Sequence, residues 1–148
     1  MLRVLLSFLF LFLAACGDSS TKIEDLLSTE LTLPNRQKIS AQTMLAREDM
    51  MHGMMFRDQL APDRGLLFIH ASAGNYPYWM FQVKVPLDII WLDSSHRIVE
   101  ISADTPPCKT QASQCANYGG SQQSQYVLEL AGGMARKYGL KAGDEILF

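Results

Sequence analysis

Residues 85–101 read VPLDIIWLDSSHRIVEI, and this stretch decides which fold the rest of the chain can adopt. Two apolar runs flank a polar turn at residues 93–96, which is the pattern of a β-hairpin. Because side chains alternate between the faces of a strand, Asp88 would share its face with Ile90 and Leu92. The other face of this strand is also apolar, so we expect both faces to be covered and the Asp88 side chain to be buried.

A buried Asp88 carboxylate needs compensation for the water that it loses. That compensation is a charged partner, a set of hydrogen-bond donors or a raised pKa. Arg57 and Lys84 are the candidate charged partners. Asp88 is therefore either a structural residue, held by an ion pair or by backbone donors, or a ligand-binding or acid/base group.

Patterns on either side of this hairpin predict further short elements. Alternating apolar residues indicate a second hairpin over residues 31–45. Apolar runs indicate strands at residues 65–70, 76–83, 125–130 and at the C-terminus. Helical patterns indicate short helices at residues 47–57 and within residues 131–140, where Gly139 suits a left-handed cap. We predict an α+β domain with a mainly antiparallel, barrel-like sheet of about seven short strands and two short helices, because closure removes exposed sheet edges.

The first predicted helix holds four methionines and a histidine in residues 48–55, EDMMHGMM. The methionines lie three or four positions apart, so they would form one apolar stripe that fills the core. Gly53 costs about 1 kcal/mol inside a helix, so we expect another group to approach the backbone there. The alternative is a soft-metal site in which the thioethers and His52 bind Cu(I). Burial of the methionines would prevent them from converging on an ion.

The N-terminus has the pattern of a bacterial export signal. Arg3 precedes a mainly apolar run at residues 4–13, which is shorter than the ~20 residues that a membrane-spanning helix needs. Residues 13–16, LAAC, resemble the lipobox of bacterial lipoproteins. The resemblance implies that the chain is cut before Cys16 and that Cys16 carries lipid, palmitate included, on its sulfur and amine.

These features divide the chain into three parts. Residues 1–15 would be a cleaved lipoprotein signal peptide, residues 16–28 a lipid-anchored tether and residues 29–148 a single α+β domain. Two or three acyl chains on one residue hold a protein at a membrane, where one chain alone would be marginal. We therefore expect a protein of the cell envelope, anchored through Cys16 on the periplasmic or outer face.

Cys108 and Cys115 are the cysteines that remain after cleavage. An exported chain meets an oxidising compartment, so we expect this pair to form one disulfide. The competing interpretation is a metal site, but two thiols without nearby histidines fall short of a zinc ligand set. The sequence thus predicts a disulfide and no metal or other cofactor.

Composition and motifs weigh against two classes of function. The formal net charge is −2 and no basic stripe is present, so there is no reason to expect nucleic acid as a partner. The sequence also lacks a nucleophile elbow, a phosphate-binding loop and a zinc-protease helix motif. These observations favour a binding module over an enzyme.

Residues 76–81, YPYWMF, supply an unusual amount of aromatic surface. On a strand, Tyr76 and Tyr78 would lie on one side, with Trp79 and Phe81 on the other. One side is expected to pack in the core. The other side either packs as well or lines a ligand groove.

Several of these motifs occur in the order seen in a known family. GMMFR at residues 53–57, DRGLLF at 63–68, PLDIIWLD at 86–93 and GGMARKYGL at 132–140 resemble domain-of-unknown-function family 192. The resemblance covers most of residues 30–148. It implies a small α+β domain with a barrel-like sheet, and it implies no established activity.

The resemblance also matches Arg57, Trp79 and Asp88 to family positions. After Trp79 and Met80 the family generally has lysine, asparagine and threonine, whereas this chain has Phe81-Gln82-Val83. If that polar run binds something in the family, this chain has altered the contact.

We therefore predict a membrane-anchored envelope lipoprotein whose domain binds a small ligand or an envelope protein. Arg57, Trp79 and Asp88 are the predicted ligand-binding residues. The Arg57 guanidinium would bind an anionic group, and Trp79 would offer a stacking face. One alternative is a hydrolase-like enzyme with Asp88 as acid or base, and another is Cu(I) binding through the methionine–histidine helix.

Overall fold

A computed structural model describes residues 27–148 of the protein. The elements in chain order are β1 Ser28–Thr32, β2 Lys38–Met44, α1 Arg47–His52, β3 Arg64–Gly74, β4 Tyr78–Trp79, β5 Leu87–Leu92, β6 Ile98–Thr105, a 3-10 helix Ala112–Gln114, β7 Asn117–Tyr118, β8 Ser124–Ala131 and α2 Met134–Tyr138. Within residues 27–148, neither helix has the length and hydropathy to cross a bilayer. The predicted signal peptide, Cys16 and nearly all of the tether lie outside the described residues.

A mixed six-stranded sheet forms the body of the domain, with the strand order β1-β2-β3-β8-β5-β6. Every neighbouring pair is antiparallel except β2 and β3, which are parallel. The two predicted hairpins are confirmed as β1–β2 and β5–β6. β4 and β7 form a small separate sheet. The α+β class and the mainly antiparallel pairing are therefore confirmed.

The predicted closure into a barrel is wrong. β1 and β6 lie at opposite edges of the sheet and do not pair with each other. The chain after α2 contacts both edges instead: Thr32 and Leu147 exchange backbone hydrogen bonds of 2.8 and 3.0 Å, and the Ile98 amide donates to the Asp144 carbonyl at 2.8 Å. The C-terminal segment makes isolated bridges here rather than the predicted strand, so it covers the edges at one end without closing the sheet.

The central strand β5 is buried along its whole length, as its sequence predicts. It lies between β6 and β8, and each face of the sheet carries its own core. The α2 core contains Ile90 and Leu128, together with Ala135 and Tyr138 of α2. The α1 core combines aliphatic side chains with methionine and aromatic ones, namely Met44, Met54, Phe68, Met80 and Trp91.

Two predicted elements are shorter than their sequence patterns indicate. The first helix ends at His52, because Gly53 adopts a positive φ of 44°. A Cβ atom at Gly53 would lie 3.0 Å from Cζ of Phe68, which confirms the predicted close approach to this glycine. The strand predicted at residues 76–83 is reduced to Tyr78–Trp79, since this segment pairs with the short β7 and not with the main sheet.

Asp88 is fully buried and is held by backbone donors. Its Oδ1 accepts hydrogen bonds from the amides of Asp104 at 2.6 Å and Gly133 at 3.1 Å, and its Oδ2 accepts one from Ala135 at 2.6 Å. Gly133 and Ala135 belong to the first turn of α2, so the carboxylate caps this helix and ties it to β5 and β6. Lys84, one of the two candidate partners, pairs with Asp58 instead.

Replacing Asp88 by asparagine should destabilise the fold strongly. The change keeps the volume but turns an amide group toward backbone N–H groups, which leaves buried donors unsatisfied. We expect Asp88→Asn to lower the free energy of unfolding by about 3 kcal/mol, measured by urea denaturation. Asp58→Asn is the matched control, because its exposed ion pair contributes about 0.5 kcal/mol. Equal stability of the two variants would contradict the capping role of Asp88.

Candidate functional site

An open groove of about 590 Å³ lies between α1 and residues 76–82. Its lining is mostly apolar, and the side chains that dominate it are Met50, Met51, Met55, Phe56, Tyr76, Tyr78, Trp79 and Phe81. Met51 is 64% exposed and Trp79 is 40% exposed, so both present unburied apolar surface to solvent. Such a concave, apolar and aromatic surface is typical of small-molecule sites.

The disulfide loop holds the aromatic wall of this groove in place. The predicted bond between Cys108 and Cys115 is confirmed, with an S–S distance of 2.00 Å. The Cys108 amide donates to the Met80 carbonyl at 3.0 Å, and β7, which follows shortly after Cys115, pairs with β4. A second support comes from the sheet, because Nε1 of Trp91 donates to the Tyr76 carbonyl at 2.8 Å. The aromatic segment therefore has a fixed backbone despite its short strand.

Three aromatic rings, those of His70, Tyr76 and Tyr78, pack together in the lining of the groove. The His70 ring lies parallel to the Tyr76 ring, with centroids 3.5 Å apart, and Oη of Tyr78 is 3.3 Å from Nε2 of His70. Burial lowers the pKa of His70 and raises the pKa of Tyr78. Both side chains are therefore uncharged at neutral pH.

Glu129 lies beneath this groove and was not predicted as a site residue. It sits on β8 in register with Leu66 of β3 and Ile89 of β5, and it is 4% exposed. Its Oε2 atom has no hydrogen-bond partner among the described residues. Desolvation raises the pKa of Glu129 to about 8, and the positive charge of Arg57 opposes that rise. The carboxyl group is therefore predominantly protonated at neutral pH.

A small cavity of about 40 Å³ adjoins both Glu129 and the groove. Glu129 and Gly53 line it, and so do Met51, Tyr78 and Trp79, which also line the groove. A Cβ atom at Gly53 would lie 3.8 Å from Oε2 of Glu129, so the missing side chain helps to leave this space open. The geometry thus places one buried acidic group under an apolar groove.

The structure does not bring the three predicted site residues together. Trp79 lines the groove. Arg57 is half-buried and lines a separate cleft of about 260 Å³, although it is near enough to Glu129 to affect its pKa. Asp88 lies under α2, where backbone amides engage both carboxylate oxygens. Glu129 and the methionines of α1 take the places beside Trp79 that were expected for Arg57 and Asp88.

The methionine stripe fills the core only in part. Met54 is buried, as predicted, and Met50 is partly buried against the α1 core. Met51 is exposed, and Met55 lines the groove together with His52. Within residues 27–148, no group of three or more His, Cys, Asp or Glu side chains could hold a metal ion. This finding does not test the Cu(I) hypothesis, because methionine thioethers are not among those side chains, and the hypothesis stays a prediction.

A signal for Glu129 is present in the sequence. Glu129 lies between Leu128 and Leu130 in a strand whose next same-face residue is Val127, so both faces of the strand are apolar around it. The same pattern surrounds Asp88 and led to the prediction of its burial. The pattern indicates a buried carboxyl group in both places, but it cannot show which of the two lacks donors.

The fold and groove define a small α+β domain with an aromatic-lined groove on one face of a mixed sheet. The chain belongs to the domain-of-unknown-function family DUF192, described as "Uncharacterized ACR", whose model matches residues 29–148. The resemblance seen in the sequence motifs is therefore confirmed.

Two solved structures share this fold. A protein of unknown function from Novosphingobium aromaticivorans DSM 12444 has a TM-score of 0.72 and 24% sequence identity, over 82% of this chain and 85% of the other. A protein from Sinorhizobium meliloti 1021, provisionally named as a transcription regulator, has a TM-score of 0.68 and 25% identity, over 80% of this chain and 89% of the other. No curated protein sequence matches the chain.

Glu129 should make the stability of the fold depend on pH. Its pKa is raised from 4.5 to about 8 on folding, so the stabilisation from its proton is fully present below the unfolded pKa and is lost as pH rises toward 8. Glu129→Gln cannot titrate. We expect its free energy of unfolding, minus that of the wild type, to increase between about pH 5 and pH 8 and then to level off.

Urea denaturation across this pH range measures the difference. Glu48→Gln provides the control, because Glu48 is exposed on α1 and its replacement makes the same chemical change. A difference for Glu129→Gln that stays flat with pH would show that Glu129 titrates at its ordinary value.

Proposed function

We propose that this protein is a lipid-anchored envelope protein whose domain binds a small, largely apolar ligand in the groove above Glu129. The observation that carries the proposal is the groove itself, an aromatic and methionine-lined surface of about 590 Å³ with a buried carboxyl group below it. Small-molecule sites commonly have volumes of about 300–1,000 Å³ and combine apolar walls with a few polar groups.

The character of the lining supports binding more than catalysis. Methionine side chains are flexible and polarisable, so they adapt to apolar ligands of irregular shape. The Trp79 and Phe81 rings, with centroids 5.3 Å apart, supply flat surface against which a ring or chain can pack. Asp88, the predicted acid or base of the enzymatic alternative, already has its carboxylate engaged with backbone amides under α2.

The expected anchor is compatible with an accessible groove. The predicted tether, residues 16–28, ends where the first described strand begins, at Ser28. Extended, a tether of this length reaches about 40 Å. A lipid on Cys16 would thus keep the domain near a membrane while allowing it to rotate and to meet ligands from solution or from the membrane surface.

Groove binding can be tested with 2-phenylethanol, a small neutral aromatic probe, by chemical-shift mapping in NMR. We expect its largest shifts at residues 50–56 and 76–82. Trp79→Ala should weaken binding by about tenfold, because it removes an aromatic face. Phe148→Ala is the matched control: Phe148 is 37% exposed, against 40% for Trp79, but lies outside the groove. Shifts elsewhere, or equal effects of the two variants, would contradict the proposal.

Lipid anchoring can be tested by expressing the full chain in a bacterial host. We expect mass spectrometry to find a chain that begins at an acylated Cys16, and detergent-phase partitioning to recover it with the membrane lipids. Cys16→Ser should move the protein to the aqueous phase. An uncut N-terminus on the wild-type protein, or unchanged partitioning of the variant, would overturn this part of the proposal.

A further inference from the structure

The cavity above Glu129 limits what can reach its carboxyl group. Its volume is about 40 Å³. A water molecule occupies about 30 Å³ of liquid, so the cavity suits a group of water-like size. A primary ammonium group meets this limit, whereas a trimethylammonium or phosphate group is larger. The body of any ligand attached to such a head group would have to remain in the groove.

When Glu129 is ionised, its unpaired oxygen requires a hydrogen-bond donor. Oε2 lacks a partner among the described residues, although it is buried. An unsatisfied buried polar atom is costly, and a donor delivered by a ligand would remove that cost. A charged N–H donor gives a stronger hydrogen bond to a carboxylate than a neutral hydroxyl group does.

The titratable groups around Glu129 do not fully neutralise a negative charge on its carboxyl group, so the site can accept one added positive charge. Tyr78, on β4, faces it as a neutral phenol, and His70 behind Tyr78 is neutral at pH 7. His52 lines the same cavity from α1. Arg57 lies on the chain after α1 and lowers the pKa of Glu129, but desolvation prevails and the pKa stays near 8. Glu129 is therefore neutral in the free protein and becomes negatively charged when it loses its proton.

The groove walls also favour a cation over an anion. The faces of aromatic rings carry negative partial charge, so a cation near Trp79 or Phe81 is attracted to them. Arg47 lines the groove as well, on the first turn of α1. A carboxylate ligand would meet the ring faces and an ionised Glu129 unfavourably, and only Arg47 in the groove and Arg57 near Glu129 would attract it.

We infer that the ligand is a primary amine attached to an apolar or aromatic body. Its ammonium group enters the small cavity and donates a hydrogen bond to Oε2 of Glu129, while its body packs against Trp79 and Met51 in the groove. This inference rests on the proposed groove function and names the chemical class that the groove selects. An ammonium group beside Glu129 favours the carboxylate, so binding at neutral pH should release the proton of Glu129.

Isothermal titration calorimetry of the wild-type protein with 2-phenylethylammonium tests the inference. In two buffers of different ionisation enthalpy at about pH 6.5, we expect release of about one proton per ligand bound. The affinity should rise toward tenfold per pH unit below about pH 8, because the ligand binds the ionised form. Glu129→Gln should abolish the proton release and weaken binding at least about tenfold, whereas Glu48→Gln should change neither.

Two probes that share the phenylethyl body of the amine separate this inference from the proposed function. If 2-phenylethanol binds in the groove as tightly as the amine, or the amine binds without proton release, the groove is a binding site but the amine assignment is overturned. If 3-phenylpropionate binds more tightly, the site selects anions and the assignment is overturned. If none of the three probes binds, the groove function and the amine assignment both fail. The wild-type proton count decides the matter even if Glu129→Gln does not fold.

Discussion

The burial of the Glu129 carboxyl group is the constraint that shapes the α1 side of this protein. β8 pairs with β3 on one side and β5 on the other, so its backbone cannot rotate to release the side chain to solvent. The carboxyl group must therefore face the α1 core. Gly53 accommodates it, since α1 ends there with a positive φ and leaves a small cavity where a side chain would otherwise stand. The groove opens directly beyond this point.

Two carboxyl groups are buried in the sheet, and they differ in their hydrogen bonding. Asp88 faces α2 and is satisfied by three backbone amides, which is the arrangement of a helix cap. Glu129 faces α1 and retains an oxygen without a partner. A fold gains stability from the first arrangement and loses some from the second. Buried titratable groups in costly environments are concentrated at functional sites. Glu129, and not Asp88, is therefore the residue that indicates a functional site at the groove.

Local features of the fold could be predicted from the sequence because they depend on neighbouring residues. The hairpin around residues 93–96 and the burial of Asp88 follow from alternation along a single strand. The edges of the sheet could not be predicted in this way, since the C-terminal segment at Leu147 contacts Thr32 more than a hundred positions earlier. The state of Glu129 is equally non-local. Whether it meets a donor depends on α1 and on residues 76–82, which lie far from β8 in the chain.

The most direct test of the central claim is an NMR titration of the Glu129 side-chain carboxyl carbon. In the free protein we predict a pKa of about 8. In the presence of saturating 2-phenylethylammonium, the pKa should fall to at least about one unit below the pH of the calorimetry, because release of about one proton per ligand requires the carboxylate to be ionised in the complex. A free-protein pKa near 4.5, the ordinary value for glutamate, would contradict the claim that Glu129 is a desolvated carboxyl group whose Oε2 atom lacks a hydrogen-bond partner among residues 27–148.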